Sequence, residues 1–272
     1  MGGRDPHETH RVTTPLELLF VVAYGMAADE LAHYLADGHV KAGIIGFTFA
    51  AFGITWAWIN FSWFSWAFDV DDWISVAQVG WIVLVFAHTS ILVTFIFVIL
   101  LTALEFTGPY IAETRRGGTP WHAHHLAERY GLLIIIALGE GIIGAIASLS
   151  AVVGPEGPGW SVSAAVVAFA GVGLTFGLWW AYFVIPFGDF LHARREKSFG
   201  WGYGNVPVIA AVVAGGGGLH VAAYYIEHHS ELGAAATILT TAIPVGVAIL
   251  GIYGLYAYLV SAIDGWMLQS LQ

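Results

Sequence analysis

The sequence predicts an all-α protein, a polytopic transmembrane helical bundle of about eight spans, and three observations carry that prediction. Of the 272 residues 58% are apolar and only 10% are charged, whereas a soluble domain is about 45–50% apolar and about 25% charged. Mean hydropathy is +0.75. The apolar residues also fall into runs of about 20, the length that crosses roughly 30 Å of hydrocarbon as an α-helix.

The same composition excludes several function classes. Nineteen acidic residues against nine basic ones leave a net charge of −10, which argues against nucleic acid as a partner, because phosphate neutralisation needs basic stripes. Cysteine is absent, which removes disulfides, thiolate catalysis and Cys-ligated zinc or iron–sulfur clusters. A retinal Schiff base needs a lysine inside the last span, and the only lysines, Lys41 and Lys197, fall in loops. Paired haem ligands would have to come from His33, His88 and His220, whose depths do not match. No nucleophile, base and orienting group can be brought together from spacing, so neither an enzyme nor a cofactor is expected.

Taken in order, residues 1–14 are a polar, cytoplasmic N-terminal tail without a small-residue cleavage pattern, so the first span is expected to serve as the insertion signal. A single transmembrane domain follows over 15–262, and 263–272 form a C-terminal tail. Six spans are read directly: Leu16–Leu35, Gly43–Trp66, Gly131–Val153, Val162–Phe187, Val206–Ile226 and Ala234–Val260. Their breaks (ADGHVKAG, FDVDDW, GPEGPG, HARREKSFGWGYG, EHHSELG) carry turn chemistry. The 33 residues from Ile74 to Phe106 would make one helix of about 50 Å, so they are divided near His88-Thr89-Ser90 into two spans.

Basic residues arbitrate the count, because Lys and Arg in short loops favour the cytoplasmic side. Eight spans with a cytoplasmic N-terminus put Arg4, Arg11, Arg115, Arg116, Arg129, Arg194, Arg195 and Lys197 inside and only Lys41 outside. Seven spans with an external N-terminus, the alternative, divide them seven to two. Small residues let helices approach closely in lipid. Ala137, Gly141, Ala145 and Ser148 mark a packed side of the fifth span, as do Gly171, Gly173 and Gly177 in the next, and Ala214, Gly218 and Ala222 after it. Trp56, Trp58, Trp63, Trp66 and Trp73 suit an interfacial belt near FDVDDW.

Ionisable groups at membrane depth are costly and mark functional candidates. Glu140 lies near the midplane beside the small-residue side, where it is either a hydrogen-bonded structural group or a proton or cation site. Glu17 opens the first span; Asp29, Glu30 and His33 lie near its far end, where they either relay protons or form a solvated terminus. Asn60 is an interhelical hydrogen-bonding candidate. His220 follows four glycines, Gly215 to Gly218, which either break the helix and expose backbone, as in transporters, or pack tightly against a neighbour. In WHAHHLAERYG, His124 and Glu128 share a helical face near His122 and His125; the choice there is between an amphipathic lead-in helix and a divalent-metal site, and the helix is preferred.

Several stretches resemble the bacterial low-temperature-requirement A (LtrA) family: RVTTPLELLFVVAYGMAADELAHYL, WAWINFSWFSWAFDVDDW, TPWHAHHLAERYGLLIIIALGEGIIG, GLWWAYF, SFGWGYGNVP and LHVAAYYIE. The resemblance implies a multi-pass protein of the bacterial inner membrane, associated with growth at low temperature. It aligns the family's recurring polar positions with Glu17, Asn60, Asp69, Asp71, Asp72, Glu128, Arg129 and Glu140. Two departures stand out: ELLF runs directly into VVAYG without an acidic residue, and FDVDDW joins ISVAQVGW where the family has roughly two further spans. The functional expectation is a proton- or ion-linked transporter or channel in which Glu140, with Glu17, Asp29, His33, Asn60 and His220, lines a polar pathway. Its partners would be membrane lipids and a proton, ion or small-molecule substrate. The alternative is a non-transporting protein that supports cold adaptation through lipid or partner binding.

Overall fold

In the computed structural model, residues 15–67, 93, 96–97, 99–101, 123–154, 159–160 and 162–269 are described; the side chains of 15–19, 21, 60–67, 163–164, 167–168 and 261–269 are not. Every regular element among them is helical: α1 (Pro15–Ala36), α2 (Val40–Ala67), α3 (Ala123–Val153), α4 (Val162–Phe183), the short α5 (Phe187–Ala193), a 3₁₀ turn (Arg195–Lys197), α6 (Ser198–Ile226) and α7 (Ala234–Gln269). Among the described residues, five stretches are long and apolar enough to cross a membrane: Val40–Ile59, Ala123–Val153, Phe169–Ala193, Arg195–Ile226 and Ala234–Val260. With 22 residues, α1 reaches about 33 Å, but Glu17, Asp29 and Glu30 lower its apolar character. Of the two spans expected between Ile74 and Phe106, only Val93, Ile96, Phe97, Ile99, Leu100 and Leu101 are described, and all are helical.

The chain forms two compact units, Thr13–Trp56 with Ala123–Gln272, and Met1–Val12 with Ala57–His122. In the smaller unit the described part of α2 buries Trp58 and Ile59. In the larger, α6 is the central helix and packs against α3, α7 and α1, while α4 and α5 pack on α3. Paired positions give the directions: Gly216 meets Glu140 and Gly144 meets His220, and Gly217 meets Ala28 while His33 meets Tyr224, so α1, α3 and α6 run parallel. Gly171 meets Ala145 and Gly131 meets Phe183, so α4 runs opposite to α3; Gly204 meets Leu255 and Gly218 meets Thr240, so α7 runs opposite to α6.

Gly215 to Gly218 do not break α6, which is continuous from Ser198 to Ile226. At 100° per residue, four glycines face three neighbours. A Cβ on Gly216 would lie 2.6 Å from the carbonyl carbon of Glu140 on α3, one on Gly217 would lie 3.0 Å from the Ala28 carbonyl on α1, and one on Gly218 would lie 2.5 Å from the Thr240 carbonyl on α7. The run lets one helix sit at backbone distance from three others, the tight-packing alternative of the two the sequence allowed. Pro244 within α7 removes the helical partner of that Thr240 carbonyl, which instead faces the Gly218 backbone.

Two other packing expectations are corrected. Trp56 is buried and stacks between Phe52 and Tyr203, at centroid distances of 6.0 and 5.8 Å, and Trp58 is buried too, so these two form no interfacial belt. The side chains of Trp63 and Trp66, and Trp73 entirely, lie outside the described residues. Among the described residues, Gly173 and Gly177 have no neighbour within 4 Å of a Cβ, and Gly171 is the contact glycine of that trio.

The ends of the larger unit differ. At the turn end, the Glu231 N–H donates to the Ala36 carbonyl at 2.7 Å and Ser230 Oγ reaches the same oxygen at 3.4 Å, tying the α6–α7 turn to the α1–α2 turn. Gly38, at φ +73°, makes the sharp bend between α1 and α2 that an L side chain rarely adopts. At the basic end lie Arg194, Arg195 and Lys197, and the Lys197 ammonium donates to the Tyr258 carbonyl while resting over the Tyr258 ring.

Candidate functional site

Where α1, α3 and α6 run parallel, residues four apart stack one above another along each helix. The α1 series is Gly25, Asp29, His33; the α3 series Glu140, Gly144, Ser148; the α6 series Gly216, His220, Tyr224. Together they build three levels from the middle of the bundle toward the turn end.

At the innermost level Glu140 is 4% exposed. Its carboxylate points at α1, where a Cβ on Gly25 would lie 3.3 Å from Oε1, and its backbone lies against Gly216. Among the described residues that carboxylate has no hydrogen bond and no ion pair. On the adjacent side of α3, Gly141 faces Thr175, whose hydroxyl donates to the Gly171 carbonyl at 3.1 Å.

One turn further out, the ring edge of His220 lies against Gly144, 3.1 Å from where a Cβ would sit. Asp29 is in electrostatic range of both Glu140 and His220. At the outermost level His33 Nε2 is 3.7 Å from Asp29 Oδ2 and 3.2 Å from the Tyr224 hydroxyl, with the two rings 5.1 Å apart. Ser148 Oγ donates to the Leu219 carbonyl at 2.6 Å and holds α3 to α6 there. The Asp29 and His33 side chains are 56% and 55% exposed, His220 is half-buried and Glu140 is buried, so titratable groups descend from an open end to a closed one. A lone carboxylate at this depth is suited to binding a proton or a cation.

Toward the basic end the seam changes character. Between Tyr130 and Glu140, α3 carries only Gly, Leu, Ile and Ala. Leu133, Ile134 and Ala137 face a core that also buries Val208, Ile209, Val212 and Val213 of α6. Tyr130, Tyr182, Phe187 and Trp201 close it with rings 4.9 to 5.5 Å apart in successive pairs. Asn205 is buried here with both polar ends bonded: Oδ1 accepts from the Tyr182 hydroxyl at 3.0 Å and Nδ2 donates to the Trp201 carbonyl at 2.9 Å.

Of the residues singled out from the sequence, Glu140, Asp29, His33 and His220 therefore come together. Glu17 and Asn60 lie on α1 and α2 respectively, but their side chains are outside the described residues, as are Asp69, Asp71 and Asp72 entirely. Arg129 is buried at the basic end, away from these levels. Glu128 is exposed and pairs with His125, at 3.1 Å, in place of the His124 that shares its helical spacing. His124 turns to α5, 3.9 Å from Asp189 and stacked on His192. His122 lies outside the described residues, and among the described ones no three metal-ligating side chains converge. The α3 start is the lead-in helix the sequence suggested, continuous with the span itself. Gly25 and Tyr224 were not singled out; the signal was their spacing, four before Asp29 and four after His220.

Residues 72–271, more than half of the chain, match the family described as bacterial low temperature requirement A protein (LtrA). The stretches of resemblance in the first two spans lie outside that range, apart from Asp72 and Trp73. No curated protein and no solved structure matches the chain.

Proposed function

The chain belongs to the bacterial low temperature requirement A (LtrA) family of membrane proteins, and from that premise we propose that it is a proton- or ion-linked transporter or channel of the bacterial inner membrane, with Glu140 as its binding group. One observation carries the reading: a carboxylate 4% exposed, at the middle of a 31-residue apolar helix, without hydrogen bond or ion pair among the described residues. A purely structural glutamate at that depth is expected to hold a partner, because an unsatisfied buried polar group is destabilising. Multi-pass insertion with the basic end in the cytoplasm follows from the positive-inside rule, with Arg129, Arg194, Arg195 and Lys197 all at that end. A role in growth at low temperature is proposed from the family description alone.

The test is flux in liposomes. Protein reconstituted with a pH-sensitive or cation-sensitive dye inside should dissipate an imposed gradient, and Glu140→Gln should reduce the rate at least about tenfold, the loss expected for a group that binds the transported species. Equal rates from wild type and Glu140→Gln, or no flux above empty liposomes, would overturn the reading. Absence of flux together with lipid-dependent thermal stability would favour a non-transporting protein that acts through lipid contact.

A further inference from the structure

Resting on the reading of Glu140 as the group that binds the transported species, we infer that this species is the proton, taken up from the turn end of the bundle through His33, Asp29 and His220. Titratable side chains are strung along the three levels, Glu140 innermost, Asp29 and His220 in the middle, His33 and Tyr224 outermost, and they do not surround a centre. A metal or alkali cation needs several oxygens converging on one point to replace its hydration shell. Among the described residues, what faces the Glu140 carboxylate is the Gly25 backbone, with α6 pressed against the Glu140 main chain and Thr175 of α4 turned toward Gly141. Among the described residues, the charged and titratable groups acting on these levels are Asp29 on Glu140, Asp29 and His33 on His220, and Asp29 and Glu227 on Tyr224; the side chain of Glu17, eight residues before Gly25 on α1, is not among them. Nearest on α7 are Thr240 and Thr241, at Gly218, which do not titrate. A proton needs only a file of donors and acceptors, and that is the arrangement present.

The direction follows from exposure and from the other half of the seam. His33 is in reach of Asp29 at 3.7 Å and of Tyr224 at 3.2 Å, with Asp29 and His33 open at the turn end. From His220 to Glu140 is one level, about 6 Å of helical rise, and the inferred route crosses it through water. Below Glu140, α3 has no titratable group until Tyr130. In the transfer, His220 accepts a proton on one ring nitrogen and releases the proton of the other to water. That water passes a proton to the Glu140 carboxylate, which becomes the neutral acid; no other bond changes and no redox partner is needed.

Oriented membrane vesicles carrying the full chain test this by pH jumps applied to one face at a time, with the infrared stretch of the protonated Glu140 carboxyl, identified by its loss in Glu140→Gln, as readout. A jump on the turn-end face should change that signal promptly, and one on the basic face should not. His220→Gln should slow the response about tenfold or more, and His33→Gln, at an exposed position that folding tolerates, about threefold. Sodium or potassium at fixed pH should leave the signal unchanged. A prompt response from the basic face, displacement by sodium or potassium, wild-type rates in both histidine variants, or no carboxyl signal assignable to Glu140 would each overturn the inference. Because the readout is protonation and not flux, a normal infrared response alongside undiminished flux in Glu140→Gln would refute the transport reading alone.

Discussion

The two halves of the α1–α3–α6 seam are built from the same helices and do opposite things. Toward the turn end, helix contacts are made by small residues and backbone, and Asp29, His33, His220 and Tyr224 lie along the same helices. Toward the basic end, contacts are made by large apolar and aromatic side chains, and the single buried amide, Asn205, has both of its polar ends bonded. Glu140 sits at the boundary. The contrast teaches that polar side chains gather where small residues make the helix contacts, while large apolar side chains such as Leu133, Ile134 and Ile209 close the other half.

The boundary itself should be the most sensitive place. Gly216→Val puts two methyl groups on a Cβ that would already lie 2.6 Å from a backbone carbon and 2.8 Å from the Glu140 carbonyl oxygen. Since backbone cannot swing aside as a side chain can, α3 and α6 must part, and a loss of about 3 kcal/mol or more, or failure to recover folded protein, is expected in detergent thermal melts. A variant as stable as wild type would show that the close approach is dispensable.

Second in size is the apolar half. Ile209, fully buried, loses three carbons in Ile209→Ala, and a cost of about 2–4 kcal/mol is expected from burial lost and cavity left. The matched change in the polar half, His33→Ala at an exposed residue, should stay within about 0.5 kcal/mol. Comparable losses from both, measured by denaturant unfolding in the same micelles, would erase the distinction between the halves. A smaller effect, about 1 kcal/mol, is expected for Tyr182→Phe, which deletes the hydrogen bond to Asn205 and leaves its Oδ1 unsatisfied within the core.

The legibility of this architecture in the sequence follows the same divide. Helix type and most span limits were readable because apolar runs and turn residues are local signals: α4 begins at the expected Val162, and α3 and α6 end at the expected Val153 and Ile226. Glu140, Asp29, His33 and His220 were recognisable as candidates because charge is conspicuous in an apolar run. Which residues they meet was not readable, since that depends on how three helices register against one another. Four glycines looked equally like a break or a contact, and only the arrangement of neighbours around α6 makes them a contact. Tryptophans near a span end suggested an interface for the same reason, whereas Trp56 finds Tyr203 on a helix nearly 150 positions away.

The smallest expected effect is the most discriminating for glycine itself. Gly177 of α4 shares with Gly171 a place in the stripe that reads as a packing face, yet among the described residues a Cβ there meets nothing within 4 Å, while one on Gly171 would lie 2.6 Å from the Ala145 Cβ. Gly177→Ala should therefore leave stability within about 0.5 kcal/mol of wild type or raise it slightly, because alanine is the better helix former. Gly171→Ala has to push two methyl groups apart and should destabilise by about 1–3 kcal/mol. The pair differs by position alone, so equal effects in parallel melts would mean that composition, and not contact geometry, sets what a glycine does in this bundle; opposite effects would tie the role of each glycine to the backbone it faces.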